Sequence, residues 1–122
     1  MFENSVGKVF FKDSCLSILI TDILDKNDLH DFLCQFKEIY TSIDEPFSIF
    51  SDLSRINILS LSSSIYYPII KVFIDNYSIS ENYLTEIEII FTSSTLIKIL
   101  NNFFYLYQMP HPIKFIKKDQ GS

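Results

Sequence analysis

Hydroxyl groups are the commonest reactive side chains in this sequence, and they concentrate at one place. Asp52 and Ser54 open a short polar loop, and Ser60, Ser62, Ser63 and Ser64 close it just before Tyr66 and Tyr67. The preceding residues, Phe47 to Asp52, form an apolar stretch of strand length. In α/β domains the working loop lies just past the carboxyl end of such a strand. Unpaired N–H groups at a following helix start favour negative charge, so the serines read as an anion-binding or phosphorylatable cluster. The same residues also read as a serine-rich helix cap, a role in which Ser outcompetes Ala.

Other reactive groups are spaced too poorly for chemistry. His30 and Cys34 stand four apart on a helical pattern, a spacing that can present two metal ligands from one face. Two ligands do not make a site, and Cys15 and His111 would have to converge on them, so no metal is expected. His30-Asp31 with a serine would supply the residue types of a hydrolytic triad. A nucleophile elbow needs glycines beside the serine, and the two glycines, Gly7 and Gly121, sit near opposite ends of the chain. No Gly-rich phosphate loop can form either. The carboxylate pairs Asp22/Asp25 and Glu86/Glu88 read as charged strand and helix surface. The expectation is a non-enzymatic protein without a cofactor.

Composition narrows the partners. The 122 residues fit one domain, 1–118, followed by a short disordered tail at 119–122. A net charge of −5 and a single arginine, Arg55, argue against nucleic acid, whose binders gather a Lys/Arg excess. No apolar run approaches the ~20 residues of a membrane span, and the charged N-terminal stretch is no secretory signal. Two widely spaced cysteines suit a reduced, cytoplasmic setting. The absence of Ala and Trp beside abundant Ile, Phe, Asn and Lys is the mark of codon pressure in an AT-rich genome. Period therefore outweighs propensity in placing elements.

Val6–Lys12 and Cys15–Thr21 read as strands of a hairpin around Asp13-Ser14. From Asp25, apolar residues recur at steps of three and four (Leu29, Phe32, Leu33, Phe36, Ile39, Tyr40, Ile43), predicting a helix capped by Asp25 or Asn27. Glu45-Pro46 ends it, and Phe47–Asp52 is the third strand. A second helix carries Ile65, Ile69, Ile70, Phe73 and Ile74, with Pro68 either at its first position or after a loose turn and a kink. Asn76–Asn82 reads as a polar connection and Thr85–Thr92 as a strand with Glu86 and Glu88 on one side. Ser93 or Ser94 caps a third helix bearing Leu96, Ile97, Leu100, Phe103, Phe104 and Tyr107. Ile113–Ile116 closes the sheet. The predicted order, β-β-α-β-α-β-α-β, implies a mostly parallel mixed sheet with three helices and one thinly covered face.

This order, together with DLSRINILSLSS after the third strand and IIFTSSTLIKILNNFF near the end, resembles the STAS domain of bacterial anti-sigma-factor antagonists and sulfate transporters. The resemblance implies that fold and a protein-binding habit. In an ungapped register the family's loop aspartate falls on Ser60, its phospho-acceptor serine on Leu61 and its glycine on Ser63. A one-residue slip puts Ser62 at the acceptor place, as the candidate phosphosite, but the aspartate and glycine stay absent, so the phosphorylation switch is not implied. A weaker resemblance is to the lipid-binding CRAL-TRIO (Sec14-like) domain, which is longer. The resulting expectation is an interaction or regulatory module that binds a protein partner, or a second copy, through Asp52, Ser54, Ser60, Ser62, Ser63, Ser64, Tyr66 and Tyr67. Tyr105 and the Tyr66-Tyr67 pair fall partly off the buried helical faces and suit such a contact. The alternative is a small-ligand or lipid binder, which requires an apolar cavity.

Overall fold

A computed structural model describes residues 1–21, 25–55, 63–107 and 113–118. Ten elements follow in order: β1 (Phe2–Glu3), β2 (Gly7–Lys12), β3 (Cys15–Ile20), α1 (Lys26–Thr41), β4 (Phe47–Asp52), α2 (Ser63–Asp75), α3 (Tyr77–Tyr83), β5 (Leu84–Phe91), α4 (Ser94–Tyr107) and β6 (Ile113–Lys117). The strands form one six-stranded sheet whose spatial order equals their chain order. β1, β2 and β3 pair antiparallel, and β3 to β6 pair parallel. The fold is α/β with a mixed sheet, as the sequence pattern implies.

Asp13 and Ser14 turn the β2–β3 hairpin with φ of 53° and 59°. Two successive left-handed residues suit a tight hairpin, because that turn matches the twist of the flanking strands. The α1 helix starts where Asp25 accepts a 2.9 Å bond from the Asp28 amide. It ends where the Thr41 and Ser42 hydroxyls donate to the Lys37 and Glu38 carbonyls, each at 2.7 Å. Its core-facing stripe is Phe32, Phe36 and Tyr40, all fully buried. Asn4 and Ser5 tie the chain's start to this helix: Asn4 Nδ2 donates to the Asp28 carbonyl at 2.7 Å, and the Ser5 amide and hydroxyl donate to the Asp28 carboxylate.

Each parallel crossover advances one strand in the same direction. Right-handed crossovers of that kind put every connecting helix on the same face of the sheet. Accordingly, Val9, Leu16, Ile18, Ile20, Phe47, Ile49, Ile87 and Ile89 form one buried cluster with Phe32, Phe36, Tyr40, Ile70, Val72, Leu96 and Leu100 from the helices. The Tyr40 ring lies 4.9 Å from that of Phe73, 6.0 Å from Phe36 and 6.1 Å from Phe47, centroid to centroid. Rings at these separations fill the space between α1, α2 and the sheet.

Three expectations need correction. The segment expected as a polar connection, 76–82, is mostly the helix α3, because Ile79 and Tyr83 pack against the core and Ser80 is buried against Tyr40. There are thus four helices rather than three. A two-residue strand, β1, precedes the expected hairpin and pairs with Lys8 and Val9. Of the two placements expected for Pro68, the first helical position is ruled out, because Pro68 is the sixth residue of α2. Only one interior hydrogen bond, to the Ser64 carbonyl, is thereby forgone, and buried Ile70 and Val72 anchor the turns that follow.

Candidate functional site

The loop singled out from sequence begins with Asp52 at the carboxyl end of β4. Asp52 Oδ1 accepts from the Ser54 amide at 3.0 Å and from the Ser54 hydroxyl at 2.6 Å, a local turn closed by a carboxylate. Leu53 donates its amide to the Ile90 carbonyl at 2.8 Å, and Thr92 Oγ1 donates to the Ser54 carbonyl at 3.1 Å. Asp52 and Ser54 are therefore fixed to β5 and its exit. Arg55 follows, exposed. Ser60 and Ser62, the candidate acceptor, lie outside the described residues. Ser63, Ser64, Tyr66 and Tyr67 belong to the first turns of α2.

Below this loop lies the sheet face opposite the helices. Strand pairing resolves it into rows. The uppermost row runs Lys8, Leu19, Asp52, Ile90, Ile116 across β2 to β6. The middle row is Phe10, Ser17, Phe50, Glu88, Lys114, and the lowest is Lys12, Cys15, Ser48, Glu86. Every one of these residues is half-buried or exposed, and none of its large apolar members belongs to the helix-side core. Among the described residues, no helix covers this face. It carries five large apolar side chains, Phe10, Leu19, Phe50, Ile90 and Ile116, where an exposed sheet face would ordinarily alternate to polar residues. Lys8 stands over the Phe10 ring, with Nζ 5.2 Å from its centroid.

Asp52 belongs to both features, as the top of the bare face and the first residue of the loop. A cleft of about 100 Å³ beside it brings Lys8 and Arg55 together with Glu3 and Asp52, two cations and two carboxylates, so its charges balance. A larger recess of about 430 Å³ lies at the C-terminal end of α1 over Phe11, Ile39 and Ile43. It opens to solvent and is rimmed by Glu38, Asp44 and Glu45, an edge that disfavours an apolar chain.

The chemistry-bearing pairs do not grow into larger groups. Cys34 Sγ lies 3.7 Å from His30 Nε2 on the exposed side of α1. Cys15 is a free thiol on the bare sheet face, and His111 lies outside the described residues. Among the described residues no three His, Cys, Asp or Glu side chains stand together as a metal-binding group, and no helix is long and apolar enough to cross a membrane. Tyr105 projects from α4 with 84% of its surface exposed, off the buried stripe as its position in the helical period requires.

Residues of the bare face other than Asp52 were not candidates on sequence grounds. The signal for them is strand parity: Phe10, Leu19, Phe50 and Ile90 lie in opposite phase to Val9, Ile18, Ile49 and Ile89 on their own strands. Comparison of the chain with protein-family models, curated proteins and solved structures gives no match.

Proposed function

We propose that this chain is a non-enzymatic, STAS-like interaction module whose docking surface is the bare sheet face together with the loop that starts at Asp52. The observation that carries this reading is the patch of Leu19, Phe50, Ile90 and Ile116, which no helix covers among the described residues, on a sheet whose other face packs against helices. Part-exposed apolar side chains in one contiguous patch mark an interface more often than a passive surface. The expected elements, a hairpin followed by strand–helix alternation and a loop closed by Asp52 and Ser54, support the STAS-like assignment. An apolar-ligand carrier is less well supported, because the larger recess is open and edged with carboxylates.

The test is photo-cross-linking in cells, with a benzophenone amino acid replacing Phe50 in one variant and Lys37, on the exposed side of α1, in another. The reading expects a defined covalent adduct from position 50 and none from position 37. No adduct at position 50, or equal adducts at both, overturns it.

A further inference from the structure

The recess at the C-terminal end of α1 joins two features that a neutral ligand cannot use together. Phe11, Ile39 and Ile43 line its floor, and Glu38, Asp44 and Glu45 stand at its rim. We propose that this recess is a binding site for a small organic cation, an ammonium carried on an apolar body. The site is separate from the docking face. α1 leads into β4, so the recess lies at the amino ends of the parallel strands, whereas the Asp52 loop lies at the carboxyl end of β4. The proposal therefore goes beyond the interaction-module reading and stands or falls without it.

Three segments of chain build the floor. Phe11 comes from the end of β2, half-buried, with its ring edge-on to that of Phe47 at 6.3 Å. Ile39 lies in the last turn of α1, and Ile43 follows the helix, only 7% exposed. The Ser42 and Ile43 amides donate back to the Ile39 and Tyr40 carbonyls, each at 3.2 Å, and this tight exit from the helix returns Ile43 to the core cluster. At about 430 Å³ the recess falls within the size range of small-molecule pockets.

The rim carries three negative charges that the protein leaves uncompensated. Among the described residues no lysine, arginine or histidine lines the recess, and the one ion pair, Lys71 with Asp75 at 3.7 Å, belongs to α2. Position compounds the imbalance. The C-terminal end of a helix carries partial negative charge, which favours lysine or arginine there and disfavours carboxylates. Yet α1 has no basic residue in its last turn, places Glu38 there, and is followed by Asp44 and Glu45. Charges set against a local rule are expected at functional positions. An ammonium at the rim is attracted by the helix end and the carboxylates together, while its apolar body covers Phe11, Ile39 and Ile43. A neutral apolar molecule would instead desolvate the carboxylates without pairing them. A bare metal ion would gain nothing from the floor, and the three carboxylates do not converge as a metal-binding group.

Titration of phenethylamine into the isotope-labelled chain, followed by NMR amide shifts, tests this. Two probes serve as controls: phenethyl alcohol has the same body without the charge, and methylammonium has the charge without the body. Saturable binding of phenethylamine is expected, with the largest shifts around Ile39 and Ile43 and an affinity that falls with added salt. The alcohol should bind about tenfold more weakly, and methylammonium should not bind detectably. Asp44→Asn combined with Glu45→Gln should weaken phenethylamine about tenfold, through loss of two charge contacts, and Asp44→Lys should abolish its binding. Both positions are exposed, so these variants keep the fold. Equal binding of amine and alcohol, shifts centred elsewhere, or an affinity indifferent to the charge changes overturns the proposal. Saturable binding of a basic peptide at the recess, with none of phenethylamine, also overturns it and assigns the recess to a protein segment.

Discussion

Ser80 is the one polar residue buried in the core among the described residues, and its hydroxyl lies 2.6 Å from the Tyr40 hydroxyl. The bond joins α3 to α1 across forty residues of chain, and both side chains are fully buried. Ser80→Ala would strand the Tyr40 hydroxyl in an apolar site, at a cost of about 1–3 kcal/mol. Tyr40→Phe keeps the ring against Phe36, Phe47 and Phe73 and loses only the bond, at about 1 kcal/mol. With both changes made, no phenolic hydroxyl remains to be stranded, so the double variant should be more stable than the two losses added together. A coupling of about 1 kcal/mol is expected, measured by urea unfolding of the four proteins. The cycle also cancels the helix-propensity gain of placing Ala in α3, which a single substitution would confound. Additive losses would refute the reasoning, because they would mean that the hydroxyls do not act as a pair.

Two other perturbations follow from single observations. A methyl group on Gly7 would sit 2.0 Å from the Leu19 carbonyl oxygen, so Gly7→Ala must push β2 away from β3; a loss of about 2 kcal/mol or more in urea unfolding is expected, and a neutral result would mean the strands are not this close. Burial raises the pKa of Tyr40, partly offset by the Ser80 hydrogen bond. A raised phenol pKa means the folded state holds its proton more tightly than the unfolded one, so this contribution is full below the ordinary tyrosine pKa of about 10 and is lost as pH rises past it. Stability should therefore fall more steeply above that pH in the wild-type chain than in Tyr40→Phe, by urea unfolding at a series of alkaline pH values; parallel curves would contradict it.

The legible parts of the fold are those where one residue decides. A three-and-four stripe after two cap candidates, Asp25 and Asn27, placed the start of α1 within two residues, although the helix ends at Thr41 and not at Glu45-Pro46. Asp13-Ser14 located the hairpin, because capping and left-handed turns are local chemistry. β4 was legible for the same reason, lying between Pro46 and the loop at Asp52. The α3 helix was not, because its sequence, YSISENY, is polar overall and its packing rests on Ile79, Tyr83 and a serine whose partner is forty residues away. Pro68 left two placements open, because the propensity rule alone cannot tell a first position from an interior one, and burial of Ile70 and Val72 in the following turns tolerates the one missing bond. At the candidate site, the Asp52–Ser54 turn was readable from sequence. A thinly covered sheet face was also readable, from the small number of helices, but the residues that line it were not, since they come together only once strand register aligns five separate segments.

A rival explanation for the apolar face is that codon pressure simply scatters Ile and Phe over the surface. The helices answer it. On the outward side of α1 stand Lys26, Asn27, Asp31, Lys37 and Glu38, and on that of α4 stand Ser94, Thr95, Lys98, Asn101 and Asn102. AT-rich codons supply Lys and Asn as freely as Ile and Phe, and on the helices the solvent-facing positions take the polar members of that set. Among the described side chains of α4, Tyr105 is exposed and Ile99 half-buried. The same polar residues were open to the outward positions of β2 to β6, yet Phe10, Leu19, Phe50, Ile90 and Ile116 occupy five of them, among charged residues of both signs. Bias alone would treat the two surfaces alike. A surface that meets another protein would not.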